Sequence, residues 1–460
     1  MKNKKTIIIL TTLIVLIGGI FLVNNIYQNK NKVNKTKRKR QNNLAIMIKE
    51  NGATDYTKSN SKDIPKGDYV LNRDKSYCKN NGVIGDYDSS LGKVSFSFIG
   101  TDSCYLYFDY YFEPKGYEKI LLDNGNGATT VDEAKAYIEG RTTSTTPNFA
   151  STATTNEGMY AADDDYTATT GMKSYYFRGA VNNNWVKFGK EGTKDIYWRI
   201  IRINGDGSIR MIYSGTTAPT ESTKVVMTGT GTQINATTYK FYSSRNNPSY
   251  VGYMFTEGQQ HGNGTPSTIK QTIDNWYKTT TLETDATTKE LVSQDQIFCN
   301  DRSATTSDSG TPGEISGSMS TSTTYYYGAY VRLVTNKSPQ LKCPTASDKF
   351  TSRKSSIGNK ALTYPVGLIT ADEVVMAGGV YGSSITNRSY YLYTNQDYWL
   401  GSPHNFFSGN SYAFEFRVDF DGSFAALFVD NANGARPVVS LSSKAKLSGN
   451  GTYNDVYTVS

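Results

Sequence analysis

The sequence predicts an α+β protein, with a transmembrane helix at its N-terminus, a small β domain, a Thr/Ser-rich linker and a larger mixed C-terminal domain. Three observations predict it. Thr6 to Val23 is an uncharged apolar run. Short runs rich in β-branched and aromatic residues stand near both ends of the body, at 94–112, 197–213 and 414–429. Between them lie segments whose apolar residues repeat at helical spacing. Strands at both ends with helices between argue against alternating βα units.

Residues 1–29 are expected to form a membrane anchor. The run TIIILTTLIVLIGGIFLV is long enough, at ~1.5 Å per residue, to cross a hydrocarbon core. The competing reading is a signal peptide with Lys2, Lys4 and Lys5 as its charged start. Leu22-Val23-Asn24-Asn25 offers no A-x-A-like cleavage site, which favours an uncleaved anchor. No second apolar run of this length follows, so a single pass is expected. Residues 30–43 are a basic juxtamembrane segment. By the positive-inside bias they would stay in the cytoplasm. The cysteines and the Thr/Ser/Asn/Tyr-rich body argue instead for a body outside the cell.

Charge excludes one class of function. The net charge is +8, yet residues 1–40 hold ten basic and no acidic residues. The remaining body has 39 basic against 41 acidic residues and is close to neutral. A nucleic-acid partner would need a basic patch on a folded face, so none is expected.

Residues 44–112 read as the small β domain. Ile64-Pro65-Lys66-Gly67 and Asn80-Asn81-Gly82 are turn signals, and VSFSFIG (94–100) and CYLYFDYYF (104–112) are strand-like. Residues 113–170 read as a linker with one short helix. Thr130-Val131-Asp132-Glu133 is a capping box, and Gly140 suits the helix end. The following RTTSTTPNFASTATTNEG has almost nothing apolar to bury and is expected to be mobile.

Residues 171–460 read as the main domain. YWRIIRI and SIRMIY flank Asn204-Gly205-Asp206-Gly207 as a hairpin. Ile269, Ile273, Trp276 and Tyr277 lie on one helical face, as do Tyr326, Tyr330, Leu333 and Val334. Thr370-Ala371-Asp372-Glu373 is a second capping box, closed by Gly378-Gly379. Phe414, Phe416, Val418 and Phe420 alternate with Glu415, Arg417 and Asp419, predicting a strand with one wet face. Asp421-Gly422 turns it and SFAALFV returns. Residues 302–324 read as a low-complexity loop.

Several strings in this order carry a resemblance: NLAIMIKENG, DIPKGDYVLNRDKSYC, CYLYFD, YWRIIRINGDGSIRMIY, STIKQTIDNWYK, LTYPVGLITADEVVMAGG, YWLGSP and GARPVVSL. They resemble a group of uncharacterised surface proteins of low-GC Gram-positive and mollicute-like gut bacteria. Residues 171–460 look like the sulfatase-modifying (formylglycine-generating) branch of the C-type-lectin-like fold. The resemblance implies a bacterial cell-membrane location, with a lectin-like domain outside the cell. It also implies that GARP forms a central strand; a buried Arg436 there would demand a carboxylate partner, Asp372 or Glu373, and the alternative is an Arg436 at the surface.

Catalytic signatures are few. His261 and His404 are the only histidines, and neither lies in a metalloprotease motif. No nucleophile elbow and no phosphate-binding glycine loop occurs. Asp163-Asp164-Asp165 reads as a solvated acidic cluster rather than a calcium site, and Asp419 to Gly422 reads as a hairpin. No cofactor and no metal site is expected. The four cysteines fall as local pairs, Cys78 with Cys104 and Cys299 with Cys343. Outside the cytoplasm the simplest reading is two disulfides. The alternatives are pairing across domains, or a redox-active Cys299/Cys343 pair. Neither of those two can be placed on the formylglycine-generating active-site motif.

The segment 398–434 stands out for recognition. In C-type-lectin-like domains the late strands and loops often form the ligand face. His404, Asn405, Phe406, Phe407, Tyr412, Phe424, Phe428, Asp430, Asn431 and Asn433 are the candidate ligand-binding residues, with half of the aromatics expected to point inward by strand alternation. The expected function is a non-enzymatic, membrane-anchored binding or adhesion protein for an extracellular glycan, peptide or host protein. The alternatives are an extracellular oxidase of formylglycine-generating type and a structural surface or pilus-associated component.

Overall fold

The computed structural model describes residues 43–353 and 357–460. The anchor at 1–29 and all but the last residue of the basic segment at 30–43 lie outside the described residues. Among the described residues no helix is long and apolar enough to cross a membrane. The protein is α+β and mostly sheet. It divides into two units between Glu113 and Pro114.

The first unit is built on Ser103–Tyr110. This strand pairs in parallel with Asn43–Lys49 and antiparallel with Tyr69–Leu71 and Tyr77–Cys78. Thr57–Lys58 adds to the outer edge of Asn43–Lys49. Val83–Asp88 and Lys93–Ser97 make a separate hairpin. Period-2 alternation decides the faces. Cys104, Leu106 and Phe108 point in and are buried, while Tyr105, Tyr107 and Asp109 point out and are half-exposed. Ile46 joins Leu106 and Phe108 in a small core. The Cys78–Cys104 disulfide ties two directly paired strands, with Cα atoms 4.0 Å apart.

Two sheets organise the second unit. The first runs Val438–Leu441, Ile209–Tyr213, Lys194–Ile203, Trp185–Glu191, Tyr457–Val459, Leu447–Ser448, with Ser174–Gly179 and Asn156–Ala162 attached through Lys194–Ile203. The predicted hairpin is its centre, and Gly207 supplies the positive φ of 81° that the turn needs. Helix Thr268–Tyr277 buries Ile269, Ile273, Trp276 and Tyr277, the predicted face. Trp276 packs edge-on to Trp198 and Tyr213. The second sheet runs Thr238–Lys240, Ala432–Gly434, Tyr398–Phe407, Tyr325–Tyr327, Ala304–Thr305. Tyr412–Val418 also pairs with Tyr398–Phe407, and Phe424–Phe428 with Tyr412–Val418.

Residues 113–170 are not a linker. Helices Gly116–Asp123 and Val131–Ser144 bury Ile120, Leu121, Ala134 and Ile138 in the second unit's core. The Thr130 capping box forms as expected, but the helix runs past Gly140 to Ser144. The polar stretch after it buries Pro147 and Ala153, packs Phe149 on the core, and is tied down further by arginines. Arg141 Nη1 donates to the Met159 carbonyl at 2.8 Å. Arg178, buried, donates to the Asn148 carbonyl at 2.9 Å and to Glu157 at 2.9 Å. Guanidinium groups present five donors in a fixed fork, so one side chain orders several backbone carbonyls at once.

Three smaller expectations change. The helix predicted from Tyr326 begins later: Tyr325–Tyr327 is strand, followed by Gly328–Tyr330 and the π-turn Val331–Thr335. GARP is not a central strand. Ala432–Gly434 lies in the second sheet, Val438–Leu441 edges the first, and Arg436 sits on the crossing between them. Arg436 is buried rather than at the surface, and among the described residues no carboxylate pairs with it. It donates to the carbonyls of Tyr213 and Leu392 and lies 4.8 Å over the Tyr398 ring.

Phe416 and Val418 are buried and Arg417 is half-exposed, as expected, but the alternation breaks at Glu415, which is buried beside Phe416. Glu415, expected on the wet face, is 0% exposed, while Phe414 is half-exposed. Pro248–Val251 packs close to this strand. Among the described residues neither Glu415 carboxylate oxygen has a hydrogen-bond partner. Burial pushes its carboxyl well above the usual range. The unfolded chain releases this proton near ~4.3 while the folded chain keeps it, so stability falls with each pH unit above that by about 1.4 kcal/mol until the folded group ionises. Glu415→Gln is expected to be more stable than the parent at neutral pH, with a gain that grows between pH 5 and pH 7. Urea unfolding at both values checks it.

Candidate functional site

Two clusters of side chains stand out, one ionic and buried, one aromatic and half-open. The ionic cluster begins at the helix Ala371–Ala377. Its Thr370 capping box places Asp372 and Glu373 in the first turn. Glu373 bonds Arg210 at 2.6 Å and Arg202 at 2.9 Å, and all three are buried. Arg202 also reaches Asp164 at 3.3 Å. Asp372 holds Arg332 at 2.9 Å, and Arg332 Nη1 turns its other edge to Asp301 at 2.5 Å. Burial alone would raise the Glu373 carboxyl, but Arg210 and Arg202 overcome it and hold it at about 2.

These groups surround a cavity of about 30 Å³, with Cys299 at its wall. That is room for about two waters. Of the acidic cluster expected to be solvated, Asp163 is exposed, while Asp164 and Asp165 border the cavity. Asp164 is 2% exposed and takes the amides of Tyr166 and Gly205, while Asp165 pairs with Lys349 at 2.8 Å and takes the Cys343 amide. Each carboxylate in this network is matched by a cation or a backbone donor, so the network's capacity goes into holding elements together.

The aromatic cluster lies on the late strands Tyr398–Phe407, Tyr412–Val418 and Phe424–Phe428. Tyr412 meets Phe428 at 4.9 Å, Phe428 meets Phe414 at 4.6 Å, and Phe414 meets His404 at 6.3 Å. His404 then contacts Tyr330 and Tyr381, and Tyr330 contacts Tyr326. Tyr326, Tyr330, Tyr381, Tyr412, Phe414 and Phe428 are all half-exposed, while His404, which joins the two groups, is buried. Arg245 lies over Tyr412 at 4.1 Å and over Phe428 at 4.6 Å, with Asp430 at 3.5 Å.

The ten candidate residues separate by exposure. Phe407 is exposed at 46%, Asn431 is exposed, and Asn405, Tyr412, Phe428 and Asp430 are half-exposed. These six are accessible. Phe406, Phe424 and Asn433 are fully buried and serve packing: Phe424 stacks on Phe416, and Asn433 accepts from Arg417 at 3.1 Å. They are withdrawn as ligand contacts. His404, 7% exposed, lies between the two groups, bonding Tyr381 at 3.0 Å and Asn405 at 2.7 Å. Burial pushes its imidazole down to about 4, against the pull of Asn405, so it is neutral at physiological pH. The residues missed from sequence are Tyr326, Tyr330, Tyr381, Phe414 and Arg245. Tyr326 and Tyr330 carried a signal, the run YYYGAY, that was read as a helix face; Tyr381 and Arg245 carried none.

Possible chemistry elsewhere is limited. His261 Nδ1 faces Asp348 at 2.9 Å, and Asp348 is also held by Arg302, which is buried. No serine, threonine or cysteine hydrogen-bonds the other imidazole nitrogen among the described residues. All four cysteines form disulfides, Cys78–Cys104 and Cys299–Cys343. The pairing is within each unit.

Comparison with protein-family models finds no match, and comparisons with curated proteins and with solved structures find none either.

Removing one partner of a buried ion network leaves the others desolvated and unpaired. Glu373→Gln is therefore expected to lower the second unit's stability by about 3–5 kcal/mol. Because the Glu373 carboxyl is held below its unfolded value of ~4.3, this stabilisation is complete above that pH and fades as pH falls through about 2. Urea unfolding of both proteins at pH 7 and pH 5 should give the same large gap.

Proposed function

We propose that this protein is a membrane-anchored bacterial surface protein, non-enzymatic, whose C-terminal unit presents the aromatic late-strand face to an extracellular ligand. A single observation carries the reading: six half-exposed aromatic side chains fall in two groups joined by the buried His404 ring, with an arginine stacked on two of them. Large rigid rings supply contact area at low entropic cost, and a stacked guanidinium keeps its donors free for a polar group. Asn405, Asp430 and Asn431 at the rim add hydrogen-bonding capacity. The ligand class is a glycan, a peptide or a host protein.

Three observations support the location. Thr6 to Val23 is an uncharged apolar run of spanning length. One disulfide stands in each unit, the pattern of an oxidising compartment. The body outside the first 40 residues is nearly neutral. A lectin-like affinity of the C-terminal unit is supported by the sequence resemblance and by the late strands forming an antiparallel meander that carries the open face. The oxidase reading gains no observation of its own.

The test is the triple variant Phe407→Ala, Tyr412→Ala, Phe428→Ala, probed with glycan and host-protein arrays. Each ring lies at the surface, so the fold should survive. Binding seen with the parent is expected to fall at least about tenfold, as for truncated hot-spot aromatics. Absence of any parent binding, or binding unchanged in the variant, contradicts the reading.

A further inference from the structure

The first unit carries a second open face that the reading above does not use. Its strand Ser103–Tyr110 turns Tyr105, Tyr107 and Asp109 outward. At about 3.4 Å per residue these three side chains mark a track about 14 Å long. Neighbouring segments lay further rings on it. Tyr77 stacks on Tyr105, with centroids 5.0 Å apart, and Tyr56 meets Tyr107 edge-on at 5.0 Å. Tyr77 is 48% exposed.

At the Asp109 end the track enters a groove of about 400 Å³ lined by Lys49, Glu50, Asn51, Tyr56, Asn72 and Lys75, among others. Its floor is polar and ordered. Asp109 accepts from the Tyr56 hydroxyl at 2.5 Å and from the Asn72 amide at 2.7 Å. Asn72 is oriented in turn by the Lys75 backbone amide at 3.0 Å. Lys75 Nζ sits 4.6 Å over the Tyr56 ring. A carboxylate offers about four lone-pair sites, and two of Asp109's are taken. The other two remain for donors from a ligand.

We propose that this face binds an extended neutral glycan chain. Sugar rings present apolar C–H faces, which suit tyrosine rings, and hydroxyl groups that donate and accept at once. The groove offers both kinds of partner side by side: acceptors on Asp109 and Glu50, donors on Lys49 and Lys75. The charges of the groove favour an uncharged class, and Lys79 Nζ, 5.4 Å over the Tyr105 ring, adds one donor along the track. Two lysines and two carboxylates line the groove, so neither a polyanion nor a polycation is favoured over an uncharged chain. An extended track that continues out of the groove suits a polymer better than a single sugar.

The experiment uses the full chain in detergent and affinity electrophoresis in gels containing dextran, laminarin, mannan or polygalacturonate. Three proteins are compared with the parent: Asp109→Asn, which keeps the shape; Tyr77→Ala, which removes an exposed ring; and the Phe407/Tyr412/Phe428 triple variant in the other unit. The expected result is retardation of the parent by at least one of the three neutral polysaccharides, weakened about tenfold in the first two variants and unchanged in the third. Retention of the Cys78–Cys104 disulfide and an unchanged far-ultraviolet spectrum show that the variants fold. No retardation by any neutral polysaccharide overturns the proposal. So does retardation that Asp109→Asn and Tyr77→Ala leave intact, or retardation by polygalacturonate alone, which would follow the basic residues at 30–40.

Discussion

Glu373 between Arg202 and Arg210 is the contact on which the second unit's arrangement depends. It stands on a helix of only seven residues, while its partners stand on the two strands of the central hairpin. Charges held away from bulk water are expensive, and their pairing with one another and with Asp164 offsets the cost. The hydrogen bonds around them narrow the geometry further. The Thr370 amide donates to Glu373 at 2.9 Å, and Arg202 is braced by Ser174 at 3.1 Å. Hydrophobic burial brings helix and sheet together, whereas the ion pair sets their register.

That register reaches the open face through one strand. The Ala371 amide donates to the Ser402 hydroxyl at 2.9 Å, and the Gly401 amide donates to the Ile369 carbonyl at 2.8 Å. Tyr398–Phe407 is thus pinned at its middle by the segment that carries Glu373. Its far end supplies His404, Asn405 and Phe407 to the aromatic face. Arg332, bonded to Asp372 next to Glu373, follows Tyr330 by two residues and holds that tyrosine's turn in place. The half-open rings therefore sit on a scaffold fixed by buried charge, which keeps them ordered without a covering layer.

Local signals in the sequence were legible and long-range ones were not. Both capping boxes and the Asn204–Gly207 hairpin were readable because a few adjacent residues decide them. The helix Thr268–Tyr277 was readable from its spacing. The stretch 141–162 was misread because part of its order comes from Arg141 and Arg178, which anchor it by hydrogen bonds that composition does not reveal. Glu415 was misread for a related reason. Strict alternation would leave Glu415 outside, but Glu415 and Phe416 are both buried, a break that spacing alone does not reveal. The aromatic face was half legible. The late strands were found, but Tyr326, Tyr330, Tyr381 and Arg245 come from elsewhere in the chain and meet only in space.

The two disulfides connect structure to compartment. Cys78 and Cys104 are cross-strand neighbours, and Cys343 is buried beside the ionic cavity with its amide on Asp165. Disulfides persist in oxidising compartments and are rare in the cytosol, so their state in cells bears directly on the proposed location. The most direct measurement is peptide mass spectrometry, without reduction, on protein taken from intact cells after thiol blocking. Cys78–Cys104 and Cys299–Cys343 recovered as linked peptides, with no blocked thiol, is the result this account predicts. Recovery of all four cysteines blocked and unlinked would place the body in a reducing compartment and contradict it.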